Sequence, residues 1–145
     1  MRIGEVAAAV GTTPRTIRYY EEIGLMPGAG DRAAGAHRVY REEDVEQLSE
    51  ILRLKELLGV SLEELRELVA DQEARRLLRE EFLDPQTPAD RRRAILDDFA
   101  AIVERTQRLA DRRRAALDAL DAELADRRER IKRRRAELDR APAER

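Results

Sequence analysis

The sequence predicts a mainly α-helical protein in which a small helical domain precedes one long helix. Charged residues make up 41% of the 145 residues and aromatic residues only 3%, which suits long helices better than one large core. The first part contains closely spaced helix start and stop signals. The stretch from residue 89 to residue 140 contains neither Gly nor Pro. Together these observations place a compact domain at the N-terminal side and an extended helix after it.

Two short helices joined by a tight turn open the predicted domain. Apolar residues recur at helical spacing within Ile3–Gly11, and the final glycine supplies a stop signal. Thr12 or Thr13 then serves as the N-cap of a second helix, Pro14–Glu22, which begins with proline. A connection of about three residues that starts with glycine is the sequence form of a helix-turn-helix.

A glycine-rich loop and three further helices follow. The loop covers Gly24–Val39, and His37–Tyr40 at its end is a candidate short strand. A strongly amphipathic helix is predicted over about Glu42–Leu58, stopped by the glycine after it. A Ser-x-x-Glu capping box then starts a helix over about Leu62–Ala70, and Asp71–Asp84 is also predicted to be helical.

The long helix predicted after the second proline of "PQTP" is a candidate coiled coil. Its apolar residues are spaced by three and four, with a change of register near residues 113–117. At 1.5 Å per residue it would be about 78 Å long and could not form a core alone, so its apolar seam needs a partner, most simply a second copy. The predicted organisation is a domain over 1–70, a helical connector and linker over 71–88, a dimerisation helix over 89–140 and a tail over 141–145.

Several classes of protein are not supported by the composition. The chain has no cysteine, which excludes disulfides, cysteine-ligated metals and cysteine nucleophiles. No nucleophile–base pair, phosphate loop or metal cluster is evident, so neither an enzyme nor a cofactor is predicted. No apolar run approaches the ~20 residues that span a membrane, and no signal-peptide pattern opens the chain, so the prediction is a cytoplasmic protein without a membrane partner.

The charges are unevenly distributed along the chain. Residues 1–90 contain 12 Lys and Arg against 19 Asp and Glu, whereas residues 91–140 contain 16 against 11. The N-terminal part is therefore acidic overall. A nucleic-acid function must rest on where its few cations lie and not on bulk charge.

The stretch "IGEVAAAVGTTPRTIRYYEEIGLM", the glycine-rich loop and "HRVYREEDVEQL" together resemble the DNA-binding domain of MerR-family transcriptional regulators. The resemblance covers about residues 1–70, and the long helix lies where that family has its dimerisation helix. It implies a winged helix-turn-helix domain with the loop as the wing. His37 occupies a wing position at which many members carry tyrosine. The sensor cysteines of metal-sensing and redox-sensing members are missing, so the resemblance implies no effector.

Candidate DNA contacts lie on the second helix, on the wing and on the helix after it. Arginine can pair with guanine or clamp a phosphate, and threonine and tyrosine hydroxyls usually bind phosphate oxygens. A recognition helix presents its N-terminal residues to base edges in the major groove. The candidate set is Thr13, Arg15, Thr16, Arg18, Tyr19, Tyr20, Arg32, His37, Arg38, Tyr40 and Lys55.

Structural alternatives exist for most of these residues. Arg15 and Arg18 could instead form ion pairs with the glutamates that follow them on a solvated helix. Tyr20 and Tyr40 could be packed in the core, and Lys55 could be an ordinary surface charge. The Arg-Arg-Arg runs at 91–93, 112–114 and 133–135 are spaced by three heptads, and interhelical ion pairs explain them better than a second nucleic-acid site.

The resemblance implies a homodimer that binds pseudo-palindromic promoter DNA and distorts it, so that RNA polymerase can engage the promoter. Two other functions stay open from the sequence. One is an interaction protein whose coiled coil is its working part. The other is an architectural DNA-binding factor that does not itself activate transcription.

Overall fold

The computed structural model describes residues 1–26 and 39–142, and these residues contain five α-helices and no strand. The predicted wing, with Arg32, His37 and Arg38, lies outside the described residues. Val39 and Tyr40, the described end of the candidate strand, are not in regular secondary structure. The helices are α1 (Ile3–Val10), α2 (Pro14–Glu22), α3 (Glu42–Leu58), α4 (Leu62–Leu83) and α5 (Ala89–Arg140).

The predicted helix-turn-helix is confirmed. Helix α1 ends at Gly11, whose φ of 73° is the left-handed conformation that glycine adopts without a steric penalty. Helix α2 has Thr13 as its N-cap and Pro14 as its first residue, and the Thr13 hydroxyl accepts a hydrogen bond from the Thr16 amide. Helix α1 packs against both α2 and α3, and α3 packs against α4. The turn therefore holds α2 against α1, which packs on α3, and α3 packs on α4.

One hydrophobic core holds these helices together. Its residues come from α1 to α4 and from the two segments that flank the undescribed loop. The backbones of Met1 and Tyr40 exchange hydrogen bonds of 2.8 and 2.9 Å, which joins the end of the loop to the start of the chain. The buried members of the core are Val6, Ala7, Ile17, Tyr20, Leu25, Met26, Tyr40, Leu48, Ile51, Leu65 and Val69.

Helix α4 is one continuous helix across the two helical segments predicted from the sequence. It starts at the predicted capping box, in which the Ser61 hydroxyl accepts from the Glu64 amide and the Glu64 carboxylate accepts from the Ser61 amide. Because no Gly or Pro lies between residues 62 and 83, nothing in the backbone ends the helix earlier. The helix ends at Leu83, just before Asp84 and Pro85.

The first part of α5 packs against α4 of the same chain. Ile95 is completely buried, and the rings of Phe82 and Phe99 lie 6.5 Å apart. Two ion pairs join the helices, Arg91 to Glu81 and Arg105 to Asp71, each with two hydrogen bonds of 2.6 and 2.9 Å. This α4–α5 pairing belongs to the first of two packing units, Met1–Thr106.

The second packing unit, Gln107–Arg145, is described by the remainder of α5 and two residues after it. Leu109 is partly buried, and its other large apolar side chains are about half exposed or more: Leu117, Leu120, Leu124, Ile131 and Leu138. No helix in the described ranges is both long enough and apolar enough to cross a membrane. The partition at residues 70 and 88 made from the sequence stays a prediction.

Candidate nucleic-acid interface

Helix α2 separates its side chains into a buried side and an exposed side. Ile17 and Tyr20 are in the core, at 0% and 2% exposure. Arg15, Arg18 and Tyr19 are exposed and, together with Glu22, line one shallow surface depression. The i, i+3 and i, i+4 spacing of these residues is what places them on one face of the helix.

The guanidinium groups of Arg15 and Arg18 are exposed on this face. Among the described residues, no hydrogen bond or ion pair is formed by the side chain of Arg15 or Arg18. Within the described residues the alternative of pairing with Glu21 or Glu22 is therefore not observed, and the Glu21 carboxylate accepts a hydrogen bond of 2.8 Å from the Tyr40 hydroxyl. Free guanidinium groups beside each other are suited to bind phosphate or a guanine edge.

Thr13 and Thr16 lie at the N-terminus of α2, next to this face. Their hydroxyl oxygens are 3.0 Å apart, and the Thr13 hydroxyl caps the Thr16 amide at 3.2 Å. The N-terminus of a helix carries partial positive charge, which favours an anion such as phosphate. The threonines therefore both start the helix and extend its cationic surface.

Tyr20 and Lys55 form a packed pair. The Lys55 ammonium group donates a 3.0 Å hydrogen bond to the Tyr20 hydroxyl and lies 5.7 Å from the centre of its ring. Tyr20 is buried, as the packing alternative expected, and its ring is 6.1 Å from that of Tyr19. The buried tyrosine thus supports the exposed one, while the exposed lysine holds the edge of α3 against α2.

Tyr40 is also buried, with 3% of its surface exposed. Its hydroxyl binds Glu21 and its backbone binds Met1, so it ties α2 and the start of the chain to the end of the undescribed loop. This arrangement gives Tyr40 a structural role at the base of the predicted wing. Local sequence signals do not reveal it because both partners are distant in the chain, by 19 and 39 residues.

A nearby arginine, Arg53, is occupied by an intrahelical contact. Its guanidinium donates hydrogen bonds of 2.8 and 2.7 Å to the Glu50 carboxylate, and this contact holds the pKa of Glu50 below its ordinary value. Arg53 is therefore less available to a phosphate than the arginines of α2.

Of the eleven candidate residues, the structure brings five together at the exposed side and N-terminus of α2. Lys55 lies beside them, Tyr20 and Tyr40 lie beneath, and the three wing residues are outside the described part of the chain. Glu22, which lines the same depression, was considered from the sequence only as an ion-pair partner. In the described ranges, no group of three or more His, Cys, Asp or Glu side chains could hold a metal ion. The five grouped residues are Thr13, Arg15, Thr16, Arg18 and Tyr19.

Comparison with known proteins points to the same domain. The chain is 42% identical over 92 residues to the HTH-type transcriptional regulator YfmP of Bacillus subtilis (strain 168), which is 63% of this chain and 65% of the relative. It is 48% identical over 65 residues to the nodulation protein NolA of Bradyrhizobium elkanii, which is 45% of this chain and 29% of that protein. The matched parts thus span less than two thirds of the length of these curated relatives.

The fold of the chain and the pattern of its first 72 residues both match known proteins. The crystal structure of a MerR family transcriptional regulator from Listeria monocytogenes superposes on this chain with a TM-score of 0.54 and 22% sequence identity. The superposition covers 96% of this chain and 94% of the other, so the two proteins share the fold. Residues 1–72 match the family model described as "MerR HTH family regulatory protein". Through this domain, the chain belongs to the MerR family.

Proposed function

We propose that the protein is a DNA-binding transcriptional regulator that binds pseudo-palindromic promoter DNA as a homodimer. The observation that carries this proposal is the exposed face of α2, where Arg15, Arg18 and Tyr19 are free of ion pairs within the described residues and lie beside a threonine-capped helix N-terminus. The match of residues 1–72 to the MerR HTH family model supports it.

In this function α2 is the recognition helix. It enters the major groove with its exposed face toward the bases, so that Arg15 and Arg18 reach guanine edges or phosphates and Tyr19 reaches a phosphate oxygen. Thr13 and Thr16 bind the phosphate next to the helix N-terminus. The core behind α2 keeps the helix rigid, so little backbone freedom is lost when DNA binds.

The operator follows from the symmetry of the assembly. Two copies paired through α5 present two recognition helices, which bind half-sites separated by about one turn of DNA, ~34–36 Å, or a multiple of it. Bending or untwisting the DNA between the half-sites makes binding depend on base pairs that the protein does not contact. We include RNA polymerase as the partner that engages the distorted promoter. The DNA-binding part corresponds to residues 1–70, with the undescribed loop as the wing.

The decisive experiment measures binding to an operator obtained by selection from random DNA. We expect Arg18→Ala and Tyr19→Ala each to weaken binding by roughly 5-fold to 150-fold, since a base or phosphate contact contributes about 1–3 kcal/mol. Arg79→Ala is the matched control, because it removes one exposed helical arginine that has no ion pair in the described structure. Unchanged affinity for both α2 variants would show that α2 is not the recognition helix.

Transcription in vitro separates a regulator from an architectural factor. On a promoter whose spacer is lengthened or shortened by a few base pairs, a regulator that acts through DNA distortion changes transcript yield in a spacer-dependent manner. A factor that binds the operator equally well and leaves transcription unchanged for every spacer would be architectural.

A further inference from the structure

A concave cavity of about 530 Å³ lies in the first packing unit, where the residues that follow α2 meet α3 and α4. Its floor is the hydrophobic core, since Leu25 and Val69 line it and are only 1% and 9% exposed. Ile23 and Ala70 complete the apolar part of its wall. Ligand pockets have volumes of about 300–1,000 Å³ and mostly apolar walls, so this cavity has the size and lining of a small-molecule site.

The apolar wall is held in place by the turn that ends α2. The backbone amides of Leu25 and Met26 both donate hydrogen bonds to the carbonyl oxygen of Tyr20, at 2.8 and 3.2 Å. The side chains of the same three residues are buried in the core. The wall is therefore formed before any ligand arrives, and a ligand that packs on it orders little of the chain.

Two polar side chains at the cavity have donor groups that a ligand can use. The amide of Gln47, on α3, is partly buried and forms no hydrogen bond with any described residue. The guanidinium of Arg66, on α4, lies 3.8 Å from the Glu63 carboxylate, and the two side chains are 45% and 77% exposed, so their contact is weak. Gln47 and Arg66 can therefore both donate hydrogen bonds to an acceptor in the cavity.

The acidic residue at the cavity, Glu73, is already paired. Its carboxylate accepts hydrogen bonds of 3.1 and 2.7 Å from the Arg76 guanidinium, which holds the pKa of Glu73 below its ordinary value. The negative charge of Glu73 is thus balanced by Arg76, whereas the positive charge of Arg66 has only the weak contact with Glu63. This distribution of charge favours an anion in the cavity over a cation.

We propose that this cavity binds an organic carboxylate with an apolar body. The carboxylate accepts hydrogen bonds from Arg66 and Gln47, and the planar guanidinium can bind both of its oxygens. The apolar body packs on Ile23, Leu25 and Val69, which removes hydrocarbon from water on both sides of the contact. Binding at this site goes beyond the proposed function and requires neither DNA nor a second copy.

The number of donors limits the charge of the ligand. One guanidinium and one amide match a single carboxylate, whereas a chain of phosphates or a nucleic acid needs several cations. An inorganic anion would leave the apolar wall formed by Ile23 and Leu25 in contact with water. The lining therefore fits an amphipathic molecule with one negative charge.

Octanoate is the probe for this site, and calorimetric titration of the full chain measures its binding. We expect one site per chain with a dissociation constant below about 1 mM, an ordinary affinity for a ligand of about ten non-hydrogen atoms. Octan-1-ol carries the same hydrocarbon chain without the charge. It should bind at least about fivefold more weakly, because it cannot form the charge-assisted hydrogen bonds with the guanidinium.

Arg66→Met separates recognition of the carboxylate from packing of the hydrocarbon. The variant keeps an apolar side chain but removes the cation, so octanoate should bind at least about fivefold more weakly while octan-1-ol binds as before. Arg79→Met is the matched control, since Arg79 is an exposed arginine of α4 outside the cavity and forms no ion pair with a described residue. Equal octanoate affinity of Arg66→Met and Arg79→Met would overturn the proposal.

Filling the cavity gives an independent test. Ala70 is exposed on α4, so Ala70→Phe leaves the core unchanged and places a ring at the cavity. Both probes should then bind at least about tenfold more weakly, because the ring takes their space. Ala74→Phe, one turn later and also exposed, lies outside the cavity and should stay within about twofold of the unchanged protein. Circular dichroism verifies that each variant is helical. Unchanged binding to Ala70→Phe would show that the cavity is not the site.

Nuclear magnetic resonance locates the bound octanoate. The backbone amide signals of Gly24, Leu25 and Ala70 should shift as octanoate is added. Shifts confined to residues 107–140, where exposed apolar side chains lie beside arginines, would place octanoate on the distal part of α5 and overturn the proposal.

Two further outcomes also contradict the site. Octanoate affinity that falls as protein concentration rises would show that a second copy covers the cavity. Neither heat nor shifts at about 10 mM octanoate, roughly tenfold above the expected dissociation constant, would show that the cavity binds no such ligand. Because none of these measurements uses DNA, their failure is distinct from a failure of operator binding by α2, which the Arg18→Ala variant tests.

Discussion

Two isoleucines of α5 show how differently the two packing units use the same helix. Ile95, in the first unit, is completely buried, whereas Ile131, in the second, is 53% exposed. The helix is continuous between them, so helical structure alone does not decide burial. In the first unit the chain supplies its own packing partner. In the second unit an equally regular helix has most of its large apolar residues exposed, and its stability as a monomer depends on helix propensity and local ion pairs.

The arginines of α5 follow the same division. In the first unit Arg91 and Arg105 bind carboxylates of α4, 10 and 34 residues away in the chain. In the second unit, the ion pairs of Arg114, Arg130 and Lys132 reach only three or four residues along the same helix. Long-range contacts therefore fold the first unit, and the second unit retains charges that are available to another molecule.

The largest expected effect comes from truncating the buried isoleucine. We expect Ile95→Ala to lower the free energy of unfolding of the first unit by about 2–5 kcal/mol, because it removes three buried carbons and leaves a cavity between α4 and α5. The loss should be the same at low and high protein concentration. Urea denaturation at two concentrations measures it. A loss below about 1 kcal/mol would mean that the α4–α5 contact does not stabilise the chain.

The matched change in the second unit, Ile131→Ala, should act on association instead. Each copy loses apolar area that only a second copy can cover, so we expect the dissociation constant of the dimer to rise about tenfold or more. Stability of the first unit at low concentration should stay within about 0.5 kcal/mol of its original value. Amide hydrogen exchange across residues 107–140 gives a second measurement, since it should slow as protein concentration rises. If the exchange rate of these amides does not depend on protein concentration, a second copy does not cover the apolar residues of the second unit.

The parts of the fold that local signals control were predictable from the sequence. The bounds of α3 and α5 agree with the prediction because Gly59 ends the first and the residues after Pro88 begin the second. The face of α2 that carries Arg15 and Arg18 follows from helical spacing, and the structure shows that face exposed.

The parts that depend on distant partners were not predictable. The sequence left burial of Tyr20 as one of two alternatives, because the partner of its hydroxyl, Lys55, is 35 residues away, and the role of Tyr40 depends on Met1 and Glu21. The packing of α4 on α5 depends on a contact of similar span, Asp71 to Arg105. Periodicity shows that a helix has an apolar face, but it does not show whether the chain or another molecule covers that face.

Every glycine of the sequence lies in the first unit. Substitution of two of them by alanine should change the stability of this unit in opposite directions. Gly11 has a φ of 73° and open space where a side chain would project, so Gly11→Ala should cost about 1–2 kcal/mol through backbone strain alone. Gly4 lies in α1 with equally open space, so Gly4→Ala should stabilise by about 0.5–1 kcal/mol. Thermal unfolding of both variants measures the difference. Equal effects would mean that the turn between α1 and α2 does not require a left-handed residue.

The smallest expected effect is a loss of stability of the first unit at acidic pH. The Arg91 guanidinium, hydrogen-bonded to Glu81, holds the pKa of that carboxyl below its ordinary value of 4.5. A carboxyl whose pKa is lowered by folding stabilises the folded state above its unfolded pKa, and this contribution is lost as the pH falls through the lower folded value. Stability of the first unit should therefore decrease as the pH falls below about 4.5. Glu81→Gln should reduce that decrease, because the amide does not titrate.

Glu104→Gln is the matched control, since it removes an exposed glutamate of α5 in the same unit for which the described structure shows no ion pair. Denaturant melts at pH 7 and pH 3.5 give the comparison. If Glu81→Gln and Glu104→Gln have the same pH dependence, the Arg91–Glu81 contact does not couple protonation to folding. The packing of α4 on α5 would then rest on the phenylalanine pair, the burial of Ile95 and the Arg105–Asp71 ion pair. If only Glu81→Gln differs, the Arg91–Glu81 ion pair couples protonation to folding and contributes to holding the first part of α5 against α4.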